Sequence, residues 1–276
     1  MDENNMSQKK LRQEKLKRLG IVLCIFLGLG IIGNVVQHLA GLSGEPAPEE
    51  TAETTEAPTE PRAMAEKLQV PTDGLRDLKI DWVAGTVTVA AAPVETIEIQ
   101  ETEARKKLDY VIRDGELLIR YSKDSMQSLL GIHSKNGKDL VVLVPESWDL
   151  DILRLQSGSA AVTLKELDLK DLEYDGVAGG LDAEDCRLGR ADLRTVSGNL
   201  RLSGSLDSLS CQGVSGSLAL ILPEDLGFAL ELEGVSAELD TDFPVTEQED
   251  GFRFGDGSCP IHVKGISGGL SIRKAG

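Results

Sequence analysis

Histidine, cysteine and aromatic side chains are scarce in this chain, and each shortage closes off a kind of chemistry. In 276 residues there are three histidines, four cysteines and 4% aromatics. His38, His133 and His262 lie far apart in sequence, so general acid–base work by imidazole has no partner group nearby in the chain. No Cys-x-x-Cys spacing occurs, which removes the common zinc sites. Trp82, Trp148, three Tyr and five Phe are too few to furnish stacking platforms for sugars, and several fall in strand patterns that read as core. Positive charge is short as well, with 29 Lys and Arg against 46 Asp and Glu, a net −17. Residues 1–19 carry six basic and three acidic side chains, +3, so residues 20–276 sum to −20. Such a surface repels nucleic acid and anionic lipid headgroups, and no nucleic-acid partner is expected.

One run lacks charge altogether. Gly20–Leu42 contains no Asp, Glu, Lys or Arg over 23 residues, enough to cross a hydrocarbon core about 30 Å thick as a helix. Lys9, Lys10, Arg12, Lys15, Lys17 and Arg18 precede it, which places the N-terminus in the cytoplasm. A cleaved signal is the alternative, but the run is long for one and Leu39-Ala40-Gly41 is a poor cleavage site. Beyond the run, Pro46, Pro48, Pro58 and Pro61 sit among Glu, Thr and Ala, the composition of an extended acidic tether. The organisation expected is a basic cytoplasmic tail (1–19), a transmembrane helix (20–42), a disordered linker (43–69) and a repetitive β domain outside the cell membrane (70–276).

What is present in abundance is a short repeated phrase, an apolar-Ser-Gly corner between alternating apolar residues. It reads Gln156-Ser157-Gly158, Val177-Ala178-Gly179, Val196-Ser197-Gly198, Val214-Ser215-Gly216, Val235-Ser236-Ala237 and Ile266-Ser267-Gly268, and Val83-Ala84-Gly85 looks like a first copy. The closest copies are about 18 to 21 residues apart, a period typical of repeat architectures. Alternation such as Leu200, Leu202 and Leu218, Leu220 means short strands with one buried face. Glycine suits a sharp bend that needs positive φ, and serine bonds local backbone there. Burying three or four such side chains yields roughly 1.5 to 3 kcal/mol each, whereas ordering twenty residues costs about 1 to 2 kcal/mol per residue. A single unit therefore cannot fold alone, and stacked units can. The fold class expected is all-β, a β-solenoid or single-stranded β-helix-like domain, with a β-propeller-like arrangement as the alternative. A leucine-rich repeat would need an Asn or Cys ladder residue, which does not recur here.

Turn signals refine this picture. Asp114-Gly115 joins Leu108–Arg113 to Glu116–Tyr121 as a hairpin, and Asn136-Gly137 precedes a strand over Leu140–Val144. Ser125–Leu130 reads as one helical turn, and the long spacer Asp240–Pro260, with Asp250-Gly251, as a rung that bulges out into a hairpin. The last strand, Leu270–Ile272, is expected at an exposed end of the stack, where Arg273 and Lys274 cap it or another copy pairs with it. Cys186, Cys211 and Cys259 occupy different positions relative to their corners. One disulfide among them is open to them, but buried free thiols are the reading preferred.

Two patterns invite a catalytic reading. Gly265-Ile266-Ser267-Gly268-Gly269 matches the G-x-S-x-G nucleophile elbow, but that elbow needs later elements to deliver His and an acid, and only Leu270–Gly276 follow. Asp168, Asp171, Glu173 and Asp175 form a carboxylate cluster of the kind polysaccharide-cleaving β-helices use, although the spacers around it are short and a solvated turn is the plainer reading.

The repeated corners, Val144-Pro145 leading into Leu150-Asp151-Ile152, and Gly255-Asp256-Gly257 running into Ile261, Val263 and Ile266-Ser267-Gly268 together make residues 70–276 similar to the bacterial putative-adhesin family, domain of unknown function 4097. The resemblance implies a repetitive all-β module at the cell envelope, often beside envelope-stress or regulatory membrane proteins. It transfers no catalytic residues. The function expected is a membrane-anchored, adhesin-like or scaffold protein that is not an enzyme and takes no cofactor or metal. Its partners are the membrane, an envelope protein or cell-wall component, and a further copy of itself. The alternatives are the ectodomain of an envelope-stress sensing or regulatory complex and, third, a carbohydrate-active β-helix enzyme.

Overall fold

Apolar side chains at every second position dictate the architecture: each short strand turns one face inward, and the inward residues of successive strands stack in columns. The computed structural model describes residues 67–102, 108–121, 137–234, 239–249 and 251–275, all within the compact unit Glu60–Gly276. Of the sequence expectations, the tail, the transmembrane helix, most of the linker, the helical turn at 125–130 and the Val235-Ser236-Ala237 corner lie outside the described residues. Among the described residues there is no helix long and apolar enough to cross a membrane.

The described elements are all strands. The first are β1 (Leu68–Val70), β2 (Asp77–Trp82), β3 (Gly85–Ala92), β4 (Ile97–Glu101), β5 (Asp109–Arg113), β6 (Glu116–Arg120), β7 (Lys138–Pro145), β8 (Ile152–Ser157) and β9 (Ala161–Lys165). Three longer ones follow, β10 (Asp168–Gly176), β11 (Leu181–Ser197) and β12 (Leu200–Ser215). The chain closes with β13 (Leu218–Leu222), β14 (Phe228–Glu233), β15 (Leu239–Thr241), β16 (Thr246–Gln248), β17 (Gly251–Phe254), β18 (Cys259–Lys264) and β19 (Leu270–Lys274). Leu68 and Gln69, placed in the linker by composition, already pair with β4.

Parallel pairing winds these strands into a β-solenoid-like stack with two broad faces. Face one runs β6–β2–β8–β10–β11–β12–β18–β14. Face two runs β7–β3–β9–β11–β12–β13–β19–β15. β11 and β12 serve both faces because each bends at mid-length, with a register shift between Ala183 and Cys186. A narrow third side joins Asp168-Leu169 to Arg187-Leu188 and on to Ser205-Leu206. Propeller blades would be antiparallel within themselves, whereas these ladders are parallel from coil to coil.

At each end the stacking order departs from the chain order. β2 and β3 precede β6 to β9 in sequence, yet they lie between β6/β7 and β8/β9. In the same way the C-terminal pair β18/β19 is inserted between β12/β13 and the earlier β14/β15. The expectation that Leu270–Ile272 forms an exposed end is therefore wrong: β19 is paired on both sides. The long spacer does make a hairpin, β16 with β17, and β17 continues face one beyond β14 as an antiparallel strand. Phe228, Phe243 and Phe254, with ring centroids 4.8 to 5.7 Å apart, close the core at that end.

Inside, the columns are continuous. On face two Leu140, Val87, Val162, Leu181, Leu200, Leu218 and Leu270 stack in register and are all buried. On face one Leu117, Leu78, Leu153, Leu172, Ala191, Leu209 and Ile261 do the same. A buried ion pair is set beside this apolar packing at the β6/β7 end. Lys138 Nζ lies 3.4 Å from Glu101 Oε2, the two side chains 3% and 2% exposed, and 5.4 Å from the Tyr121 ring centroid. The Trp82 indole donates to the Lys138 carbonyl, 3.0 Å, which holds the first coil to the second.

Candidate interaction surfaces

The corners between faces one and two bring most of the repeated phrase into a single column. In register, Gly85, Ala160, Gly179, Gly198, Gly216 and Gly268 lie one above another. A Cβ at Gly179, Gly198, Gly216 or Gly268 would stand 2.1, 1.8, 2.0 or 2.0 Å from the carbonyl oxygen of the column residue in the adjoining coil; at Gly85 it would stand 1.9 Å from the Lys138 carbonyl oxygen. Gly85 and Gly216 need glycine for their positive φ as well as for clearance, whereas at Gly179, Gly198 and Gly268 the need is clearance for the neighbouring backbone alone. Ser197 and Ser215 are paired in adjacent coils, and Ser267 stands at the same corner of the β18/β19 coil, its hydroxyl donating to the Val214 carbonyl at 3.0 Å. Ser157 and Gly158 stand two residues earlier, so Ser159 and Ala160 fill the corner in that coil. Ser157 is buried, accepting from the Ala160 amide and donating to its carbonyl, both 3.1 Å. Ser236 lies outside the described residues.

Outside these corners Val196 and Val214 are 37% and 55% exposed, while Ile266 in the next coil turns inward over Gly213. Face one beyond the corner is charged. Arg154 bridges four coils, with Nη1 3.1 Å from both Asp77 and Glu116 and Nε 3.4 Å from Glu173. Arg194 reaches Asp192 at 2.8 Å and Asp175 at 3.4 Å, and Arg190 lies 3.7 Å from Asp192. Further along, His262 Nδ1 is 2.8 Å from Glu231 and Lys264 2.5 Å from Glu233. Face two carries its own ladder, Lys165 to Glu184, Arg201 to Asp182 and Arg273 to Asp242 and Asp240.

The register dissolves the carboxylate cluster. Asp168–Gly176 is a strand and not a turn; Asp171, Glu173 and Asp175 project from face one, where Arg190 and Arg194 stack against the first and third. Asp168 stands on the third side, 3.8 Å from Arg187. Burial raises the pKa of Asp175, with Arg194 pulling it back. The Ser267 proton is committed to a carbonyl, and His262 is paired with Glu231 on the outer side of β18, so the G-x-S-x-G phrase is a corner and not an elbow.

A shallow open groove of about 360 Å³ runs along the third side, lined by Glu166, Asp168, Asp185, Cys186, Arg187 and Ser205. Glu166 and Asp185 hold positive φ of 54° and 52° at its bend, a conformation costing on the order of 1 kcal/mol for side chains other than Gly. Burial pushes the Cys186 thiol up to about 11, so it is protonated at neutral pH and not a nucleophile. Cys211 and Cys259 are likewise free, buried and shifted up, to about 12 and about 11. No trio of His, Cys, Asp or Glu among the described residues is arranged to hold a metal ion.

Residues 75–206 match the Toastrack DUF4097 family model. The Toastrack match starts just before β2 and ends within β12, and so takes in the coils from β6/β7 to β11/β12. A crystal structure of a putative cell adhesion protein from Clostridium sporogenes shares 14% identity and a TM-score of 0.44, over 78% of this chain and 100% of that one. One of a putative adhesin from Bacteroides fragilis gives 11% and 0.44, over 79% and 99%. One of a putative lipid binding protein from Parabacteroides distasonis gives 12% and 0.34, over 79% and 98%. No curated protein matches the chain.

Proposed function

We propose that this chain is a membrane-anchored envelope interaction or scaffold module that works by presenting the broad side of its stack, without catalysis of its own. The observation that supports the reading best is face one. Its charges stand on registered strands at the fixed spacing of about 4.8 Å between coils, cross-linked by Arg154 and Arg194, which makes an ordered surface of acidic and basic groups and not a cleft. Such a surface recognises a partner by charge pattern and shape over an area, and a preorganised pattern costs little ordering on binding. The anchor and tether read from residues 20–69 would hold it at the outer side of the membrane.

The test is in-cell cross-linking of the full-length protein with mass spectrometry of what is captured, for the wild type and for the Arg190→Glu/Arg194→Glu variant. Capture of a cell-wall component or envelope protein that the variant loses, with its circular dichroism unchanged, is expected. Capture of a membrane protein solely through residues 1–42, unaffected by the variant, would replace this reading with the regulatory one. Loss of phenotype in an Asp168→Ala/Asp171→Ala/Asp175→Ala variant that still folds and still captures its partners would point to the enzyme.

A further inference from the structure

The two ends of face one are finished differently. At the β14 end β17 and β16 add antiparallel strands and the three phenylalanines close the core. At the β6 end the added strand is β5, which among the described residues pairs only with β6. Its Tyr110, Val111 and Ile112 are 39%, 39% and 51% exposed. Tyr110 and Ile112 lie opposite the buried Ile119 and Leu117, so they continue two core columns past the last coil. A five-residue edge with three apolar residues at its centre is a pairing template unless something occupies it.

The hairpin geometry says which backbone groups are free. Asp114 and Gly115, φ 53° and 83°, form a two-residue turn with both central residues left-handed. Arg113 and Glu116 are then the closing hydrogen-bonded pair, and by alternation Val111 and Asp109 also direct their N–H and C=O at β6. Tyr110 and Ile112 direct theirs at the open edge. The strand Asp109-Tyr110-Val111-Ile112-Arg113 is, in addition, self-complementary when reversed. Set antiparallel to a copy about Val111, Tyr110 meets the partner's Ile112 as a hydrogen-bonded pair, twice, making four backbone hydrogen bonds. Asp109 meets the partner's Arg113, again twice. Within one chain Arg113 pairs with its exposed neighbour Asp114 and Asp109 with Arg120 at 2.8 Å, partly exposed arrangements worth little.

We propose that β5 pairs antiparallel with β5 of a second copy of this chain across a two-fold axis at Val111, so that face one runs unbroken through both molecules. An isologous contact closes at two and does not propagate into a fibre. Five residues a side fall well short of the roughly 800 Å² per partner of a standard interface, so the pair is a weak one that trapping reveals better than gel filtration. The inference deepens the scaffold reading by naming one partner and rests on it, and the two fail separately: the trap below reads strand pairing alone, whereas the cross-linking reads envelope partners.

The experiment uses the full-length chain carrying Cys24→Ser, with Val111→Cys or, for comparison, Val214→Cys, since the three remaining cysteines are buried. At a non-hydrogen-bonded antiparallel position the two Cα atoms lie about 4.5 Å apart, inside the range a disulfide spans. Mild oxidation is expected to convert most of the Val111→Cys protein to a covalent dimer, at least tenfold more than Val214→Cys, whose position is more exposed. Adding Ile112→Pro deletes an open-edge N–H without touching the β5–β6 ladder, and adding Arg113→Asp sets like charges opposite one another; each is expected to lower the dimer yield severalfold. The proposal is overturned if Val111→Cys gives no more dimer than Val214→Cys, if neither added substitution lowers the yield, or if Cys at 111 resists a maleimide, which would mean the edge is covered within the chain.

Discussion

Two adjacent glycines in the β18/β19 coil have opposite requirements, and alanine at each separates them. At Gly268 a Cβ would stand 2.0 Å from the Gly216 carbonyl oxygen, whereas at Gly269 the nearest atom is the Ser217 Cβ at 3.8 Å. Neither holds positive φ, so backbone strain does not enter. Relieving the Gly268 contact requires the two coils to part locally by more than 1 Å to reach an ordinary van der Waals separation of about 3.5 Å. That movement costs the overpacking term of about 1 to 3 kcal/mol. It also stretches the neighbouring hydrogen bond from the Leu218 amide to the Gly269 carbonyl, 2.9 Å, worth about 1 kcal/mol more. The sum is about 2 to 4 kcal/mol, or a fall in Tm of about 5 to 15 °C for a domain of this size. Gly269→Ala is expected to be neutral or to stabilise by up to about 1 kcal/mol through the unfolded chain. Thermal unfolding followed by far-ultraviolet circular dichroism reads both. Equal melting of the two variants, or a Gly268→Ala protein as stable as wild type, would refute the claim that backbone clearance between coils is what the column glycine serves.

Other outcomes follow from particular contacts. Lys138→Met should destabilise by about 3 to 5 kcal/mol because it removes the ammonium charge beside a buried carboxylate, and Glu101→Gln/Lys138→Met should recover much of the loss, measured as a denaturant double-mutant cycle. Arg154→Ala, which leaves Asp77, Glu116 and Glu173 uncompensated on a partly exposed face, should cost about 1 kcal/mol, less at high salt. Cys186, Cys211 and Cys259 should stay unreactive towards a thiol reagent at pH 8 until the protein is unfolded. Because burial raises their pKa values from an ordinary 9.0, the unfolded chain gives up these protons first. The stabilisation is whole below pH 9 and falls by about 1.4 kcal/mol per pH unit per thiol from pH 9 up to about 11 for Cys186 and Cys259 and about 12 for Cys211. Stability against urea at pH 8, 9.5 and 10.5, compared with a Cys211→Ala variant, tests the sign, and a flat profile would contradict it.

The corners were legible because backbone clearance between coils leaves a mark in the chain at a regular interval: Gly179, Gly198 and Gly216 recur in step with the coil length. Ser157-Gly158 misled because the same two letters occur two positions before the true corner, and only pairing of β8 with β10 and β9 with β11 shows that Ser159 and Ala160 fill it. The hairpin at Asp114-Gly115 was readable from local turn chemistry alone. The carboxylates at 168, 171, 173 and 175 were misjudged as a turn because nothing local says that Arg190 and Arg194 arrive beside them from one coil later.

By itself the sequence determined the class of fold, the period of the coil, the inward face of each strand and the scarcity of groups for catalysis, since alternation and composition act on each segment separately. Tertiary structure decided the order of the coils and what each polar side chain faces. β2/β3 and β18/β19 lie inside their neighbours, an order that alternation within each segment does not carry, because pairing between coils joins residues far apart in the chain. The same order leaves β5 with an unpaired edge among the described residues and sets the arginines of face one against its carboxylates.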